Sequence, residues 1–208
     1  MGLNALPDLG PGFRLETETL TRRRLHRIYW QGRDPLEPSF ARNNRYDCPA
    51  GTATGARFGV LYLGLDLDTC WMETVVRHNV VRPAGTDIPI PIQHMTDRWA
   101  CEVTASEPLV LARFADAALV HLGECVSNIM EDGYLRTQAW AALLHAHAHP
   151  QVDGLLYRSR FMSDQFCVAL FDRAIGMRGL GVRHARSINP ATSAEAQAIL
   201  RHYRVVPI

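Results

Sequence analysis

Thr69, Glu73 and Arg77 recur at successive i, i+4 steps, so on a helix they share one narrow polar stripe. The rest of that helix is apolar: Leu67, Cys70, Trp71, Thr74, Val75 and His78 make one face, and Met72 and Val76 widen it. Such a stripe is either a solvated edge with a Glu73–Arg77 surface pair, or it turns Glu73 toward a cleft. A second group lies in the segment 41–59, where Arg42, Arg45 and Arg57 alternate with Gly, Asn and Asp. Glycine lets backbone approach a ligand, and guanidinium forks match phosphate or carboxylate oxygens. Ser159, flanked by Arg158 and Arg160, suits a phosphate contact or a simple turn. It is not in a GxSxG elbow, so a triad nucleophile is not expected. His145, His147 and His149 suggest a metal tract, but only His145 and His149 share a helix face and the HExxH glutamate is missing, so no metal is expected. GMRGLG at 176–181 lacks the GxGxxG spacing.

The elements that must position these groups fit one domain of 208 residues. Net charge is +1, from 22 basic and 21 acidic side chains, and every basic one is arginine. The lack of lysine excludes a Schiff-base or PLP-anchoring lysine and a Walker-A lysine. Balanced charge speaks against nucleic-acid binding, with the run Arg22–Arg24 read as surface. No apolar stretch is long enough to span a bilayer, and the first residues lack a signal-peptide pattern. Five dispersed cysteines without a CxxC pair suggest reduced thiols and a cytoplasmic setting. Residues 1–20 read as an extended lead-in and 31–57 as a long loop. Strands are expected at 25–30, 58–63, 99–104, 109–114, 154–157 and 166–171, and a last one at VVPI. Helices are expected at 67–79 (capped by Asp66 or Asp68), 116–123, 134–149 and 193–203, with a Pro-rich loop at 82–92. Without a regular βαβ alternation the class is α+β.

In order along the chain stand RIY (27–29), NRYD (44–47), GVLYLG (59–64), ME (72–73), GLLYRSR (154–160) and CVALFD (167–172). This ordered set resembles the RES-domain family, named for its Arg, Glu and Ser, over roughly residues 22–175. The resemblance implies a domain over 22–208 after a 1–21 lead-in. It also implies a fold like the ADP-ribosyltransferases, with NAD⁺ as substrate in a cleft. Many members are toxins paired with an Xre-type antitoxin, and they break the nicotinamide–ribose bond of NAD⁺. By resemblance Arg45, Tyr62, Glu73 and Ser159 are the site residues, with Arg27 as a further NAD-binding residue. The stretch from Arg45 to Tyr62 is longer than in the compact toxins and contains Arg57 as a second candidate. Arg45 is preferred because an aromatic and an Asp follow it.

Cleavage of that bond builds positive charge on the ribose, which a carboxylate stabilises more in the transition state than in the ground state. Glu73 is the expected carboxylate. Tyr62 is expected against the nicotinamide ring, Arg45 and Arg27 on the pyrophosphate, and Ser159 on ribose or phosphate. The leaving group is already cationic, so neither a strong general acid nor a metal is required. ADP-ribose goes to water, to phosphate or, in a protein ADP-ribosyltransferase, to a protein. In a different class altogether, the chain is a nucleotide- or partner-binding module without turnover.

Overall fold

The apolar run at 58–63 is buried on both sides because it becomes an interior strand. The computed structural model describes residues 13–77, 83–130, 133–147 and 151–208. The chain opens with β1 (Thr17–Leu20) and β2 (Leu25–Trp30), followed by a long irregular segment with one 3-10 turn at Thr54–Ala56. Next come β3 (Val60–Gly64) and α1 (Leu67–Trp71), which continues into a π-helical turn, Met72–Val76. Then follow β4 (Ile88–Ile90), α2 (Gln93–Thr96), β5 (Arg98–Ala105) and β6 (Leu109–Phe114). Three helices stand together: α3 (Asp116–His121), α4 (Val126–Met130) and α5 (Leu135–Ala146). The chain closes with β7 (Gly154–Arg158), β8 (Phe166–Phe171), α6 (Asp172–Met177), β9 (Leu180–Ser187), α7 (Ala194–Tyr203) and β10 (Val205–Pro207).

Eight strands form one sheet in the order β1-β6-β7-β8-β3-β2-β5-β9, and β4 and β10 form a parallel pair. In the large sheet β6 and β7 are parallel and the other neighbours antiparallel. Alternation along the inner strands splits the core. Val60 and Tyr62 of β3, with Cys167, Ala169 and Phe171 of β8, pack on the side of Phe114, Trp140 and Leu144. Leu61, Leu63, Val168 and Leu170 point into the opposite layer with Leu25, Val103 and Leu111. A third cluster joins Trp71 and Val75 to Met95, Ile199 and Val205. Gly154 is required where β7 meets β8, since a Cβ there would lie 2.1 Å from the Ala169 carbonyl oxygen.

The α+β class agrees with this mixed sheet and its flanking helices. Several local expectations do not hold. The supposed lead-in contributes β1, paired with β6, and buries Leu15 in the core. The Pro-rich stretch contains β4, whose Pro89 is tolerated in a two-stranded pair where one edge needs no donor. The segment after Met177 forms β9, unexpected because its exposed, Arg-rich pattern shows no apolar alternation. The outer part of the expected helix, to residue 79, lies outside the described residues, as do His149 and Pro150. Among the described residues no helix is long and apolar enough to cross a membrane. All five cysteines are free, and only Cys125 is exposed.

His145, near the end of α5, stacks on Phe58 with ring centroids 4.3 Å apart and meets Phe171 edge-on. Burial, and then the Arg173 charge, pull its pKa down to about 4. The folded state therefore holds His145 neutral while the unfolded chain protonates it below its ordinary value. Stability should fall as pH drops from about 6.5 toward 4. His145→Phe keeps the stack and removes this titration, so its melting temperature should fall less over that range. Parallel decline of the two proteins would contradict this assignment.

Candidate active site

Glu73 owes its place to the tight passage from β3 into α1. At Gly64 a Cβ would lie 2.7 Å from Cys70 Sγ and 2.8 Å from the Asp66 carbonyl, so the strand turns at once into the helix only with glycine there. Asp66 caps the helix: Oδ1 accepts from the Thr69 amide at 2.6 Å and Oδ2 from the Thr69 hydroxyl at 2.8 Å. One turn later the helix widens into the π turn that carries Glu73, a feature often found at functional sites. The polar stripe faces inward: Thr69, Glu73 and Arg77 all line one cavity.

Glu73 does not pair with Arg77. Its Oε1 accepts from the Ser159 hydroxyl at 2.7 Å and from the Arg160 amide at 2.9 Å. Among the described residues Oε2 accepts no hydrogen bond, which leaves one carboxylate oxygen fixed and the other for a ligand. Ser159, only 1% exposed at the end of β7, also accepts from the amides of Phe161 and Met162 at 3.2 and 3.1 Å. Its hydroxyl is thus engaged by Glu73 and by its own turn, and Ser159 is not among the cavity-lining residues. Its link to the cavity in this structure runs through Glu73.

The turn that carries Arg45 is held by a buried carboxylate. Asp47, fully buried, accepts from the amides of Asn43 and Asn44 and from the Asn44 side chain on Oδ2, at 2.9–3.0 Å. Its Oδ1 accepts from the Tyr62 hydroxyl at 2.9 Å, and that hydroxyl accepts from the Tyr46 amide at 3.0 Å. Gln138 of α5 donates to the carbonyls of Arg42 and Asn44, and α5 is tied down where Trp140 Nε1 meets buried Glu124 at 2.6 Å. The turn so folded presents Arg45, 8% exposed, to the cavity, 6.0 Å from the Tyr157 ring centre. Arg57 is exposed, and its Nε donates to the Thr52 carbonyl, away from the cavity-lining set. Burial, and then Asp47, push the Tyr62 hydroxyl well above its ordinary value, so it stays a donor. Tyr62 lines the cavity, yet its hydroxyl works as part of the Arg45 clamp.

Arg27 lines the cavity too, but its two terminal nitrogens donate to the carbonyls of Pro35 and Glu37. It braces the long loop and contributes charge, with its fork already occupied. The cavity holds about 400 Å³. Its wall includes Tyr157, Cys167, Tyr62, Ile28 and Arg98, one from each of five adjacent strands, β7-β8-β3-β2-β5. At about 4.8 Å per strand this is about 19 Å across the sheet, the span of an elongated ligand. Among the described residues five arginines (27, 45, 77, 98 and 160) and one carboxylate, Glu73, line it. Burial pushes the lining thiols Cys70 and Cys167 up, which disfavours the thiolate form at either. Sequence reasoning noted Arg160 only as a flank of Ser159 and missed Arg98 and Tyr134, the last a non-glycine with φ of 52° at the start of α5. Arg98 had no local signal, since only the β2–β5 register, Trp30 opposite Arg98, brings it to the site.

The Asp47–Tyr62 clamp has a measurable consequence. Tyr62→Phe leaves Asp47 Oδ1 and the Tyr46 amide without their partner, which should cost about 1–3 kcal/mol in urea unfolding. A loss below about 0.5 kcal/mol, the level of an ordinary surface change, would show that the clamp does not hold the loop.

No curated protein matches the chain in sequence. The chain resembles in fold a chain from the crystal structure of the M. tuberculosis MbcT-MbcA toxin-antitoxin complex, with a TM-score of 0.62. Identity to it is 18%, with 86% of this chain and 90% of that chain covered. A family model, RES domain, matches residues 21–187, from just before β2 to the end of β9. With the inward-facing Glu73 anchored on Ser159 and Arg45 presented beside it, the chain belongs to the RES-domain family.

Proposed function

We propose that this protein is an NAD-degrading toxin of RES type that cleaves the nicotinamide–ribose bond of NAD⁺. The observation that carries this reading is Glu73: a carboxylate with one oxygen fixed by Ser159 and the Arg160 amide, set with five arginines in the described lining of an elongated cavity. The arginine excess suits a pyrophosphate, and Arg45, which lines the cavity, is its partner in this reading. As the glycosidic bond breaks, its electron pair leaves with nicotinamide, whose ring charge is neutralised, and positive charge moves onto the ribose. Glu73 Oε2 stabilises that charge, either directly or by accepting from the ribose 2′-hydroxyl. Because Ser159 and the Arg160 amide hold Oε1 beforehand, the carboxylate needs little reorganisation during the reaction. The Tyr62 ring offers a face for the leaving group. Arg27 supports the site through the loop and its charge. The free thiols accord with a cytoplasmic setting. A partner antitoxin is proposed by analogy with the toxin-antitoxin complex that the chain resembles in fold.

The test is nicotinamide release from NAD⁺ by the purified protein, with water, inorganic phosphate or cell extract as acceptor. Release is expected, and Glu73→Gln should lower its rate by about 100-fold or more at unchanged melting temperature. Mass gained by a protein in the extract would identify ADP-ribosyl transfer as the outcome. No release with any of the three acceptors would overturn the proposal and leave a binding module.

A further inference from the structure

The arginines of the cavity exceed what one pyrophosphate needs. Arg45 sits by Tyr157 on β7, whereas Arg98 begins β5, four strands away, with Arg77 one turn beyond Glu73 on the helix. The two ends have different electrostatics. Arg45 feels the Glu73 charge, while Arg98 feels that of Arg77. Burial, then the Arg77 charge, pull the Arg98 pKa below its ordinary value, so the pair is mutually repulsive.

Most of the arginines that brace this structure are supplied with a carboxylate, while Arg27 and Arg173 are tied to backbone carbonyls. Arg113, Arg136, Arg158, Arg178, Arg186 and Arg204 each pair with Asp or Glu at the distance of an ion pair. Among the described residues no carboxylate pairs with Arg77 or Arg98. Arg98 is instead held by stacking, its guanidinium carbon 4.1 Å from the centre of the half-exposed Trp30 ring. Its Nε is sealed from solvent without an acceptor. A stacked, oriented guanidinium that lines a cavity together with a second guanidinium, neither paired with a described carboxylate, suits an anion from outside the chain.

We infer that Arg77 and Arg98 form a second phosphate-binding subsite in this cavity, separate from the place of the pyrophosphate at Arg45. The inference rests on the nucleotide reading of the site. The group it takes is a phosphate, which reaches the cavity from one of two sources. It is carried on the substrate, as the 2′-phosphate of NADP⁺, or it enters free, as inorganic phosphate.

Arg98→Ala and Arg77→Ala test this against wild type, with melting temperatures as the control for folding. Turnover of NADP⁺ and of NAD⁺ is measured, and of NAD⁺ over a series of inorganic phosphate concentrations. Binding of NADP⁺, NAD⁺ and inorganic phosphate is measured in parallel by calorimetry. If the substrate carries the phosphate, each variant should lower the ratio of NADP⁺ to NAD⁺ affinity about tenfold or more. If free phosphate is the ligand, the phosphate dependence and the binding of phosphate should weaken by a similar factor. Either result supports the subsite. If both variants change NADP⁺ and NAD⁺ by the same factor and leave phosphate binding as in wild type, the subsite is overturned. A protein that cleaves neither dinucleotide would fail the proposed function, while the binding measurements would still decide for or against Arg77 and Arg98.

Discussion

The hydrogen bond from Ser159 to Glu73 joins parts of the chain that are 86 residues apart in sequence. One partner rides on the π turn after α1, the other directly follows β7. For them to meet, β3 must pass into its helix without a loop, and β7 must run beside β8, which pairs with β3. The small residues follow from this requirement. Gly64 permits the strand–helix turn, and Gly154 lets the backbone of β7 approach Ala169. A carboxylate facing a cavity would otherwise rotate among conformers. With Oε1 engaged twice, Glu73 has its orientation set before any ligand arrives.

Around this one anion the protein concentrates positive charge. Like charges in a partly enclosed cavity repel more than in bulk water, and the fold holds them by different means. Arg27 is tied to loop carbonyls, Arg45 stands on the turn that Asp47 folds, and Arg98 lies on Trp30. None of these devices neutralises the charge, so the described lining stays electropositive. That the chain has no lysine fits such a site, where guanidinium planes stack and fork in ways an ammonium does not.

Much of the architecture was legible because the inner strands are strongly apolar, and because Asp66 and Ser193 cap the helices that follow them. Phe58–Leu63 and Phe166–Phe171 had to be buried on both faces, and they are the centre of the sheet. Edges were not legible. The segment carrying β1 looks like a lead-in, β4 contains a proline, and β9 is exposed and arginine-rich, so none shows the pattern of a half-buried strand. For the site, the i, i+4 stripe marked Thr69, Glu73 and Arg77, yet its periodicity was equally compatible with solvent. The direction of the stripe came from tertiary packing of Trp71 and Val75 against Met95 and Ile199. Asp47 stood in a visible NRYD motif, but its function as a buried clamp depends on Tyr62, which arrives from another element. The engagement of the Ser159 hydroxyl depends equally on distant contacts.

A double-mutant cycle between Ser159 and Glu73 in NAD⁺ turnover tests most directly whether Ser159 works by orienting Glu73. The account predicts that Ser159→Ala lowers kcat/KM in the wild-type background and has little further effect once Glu73→Gln is present. Equal losses in both backgrounds would contradict it, showing that Ser159 meets the substrate independently of Glu73.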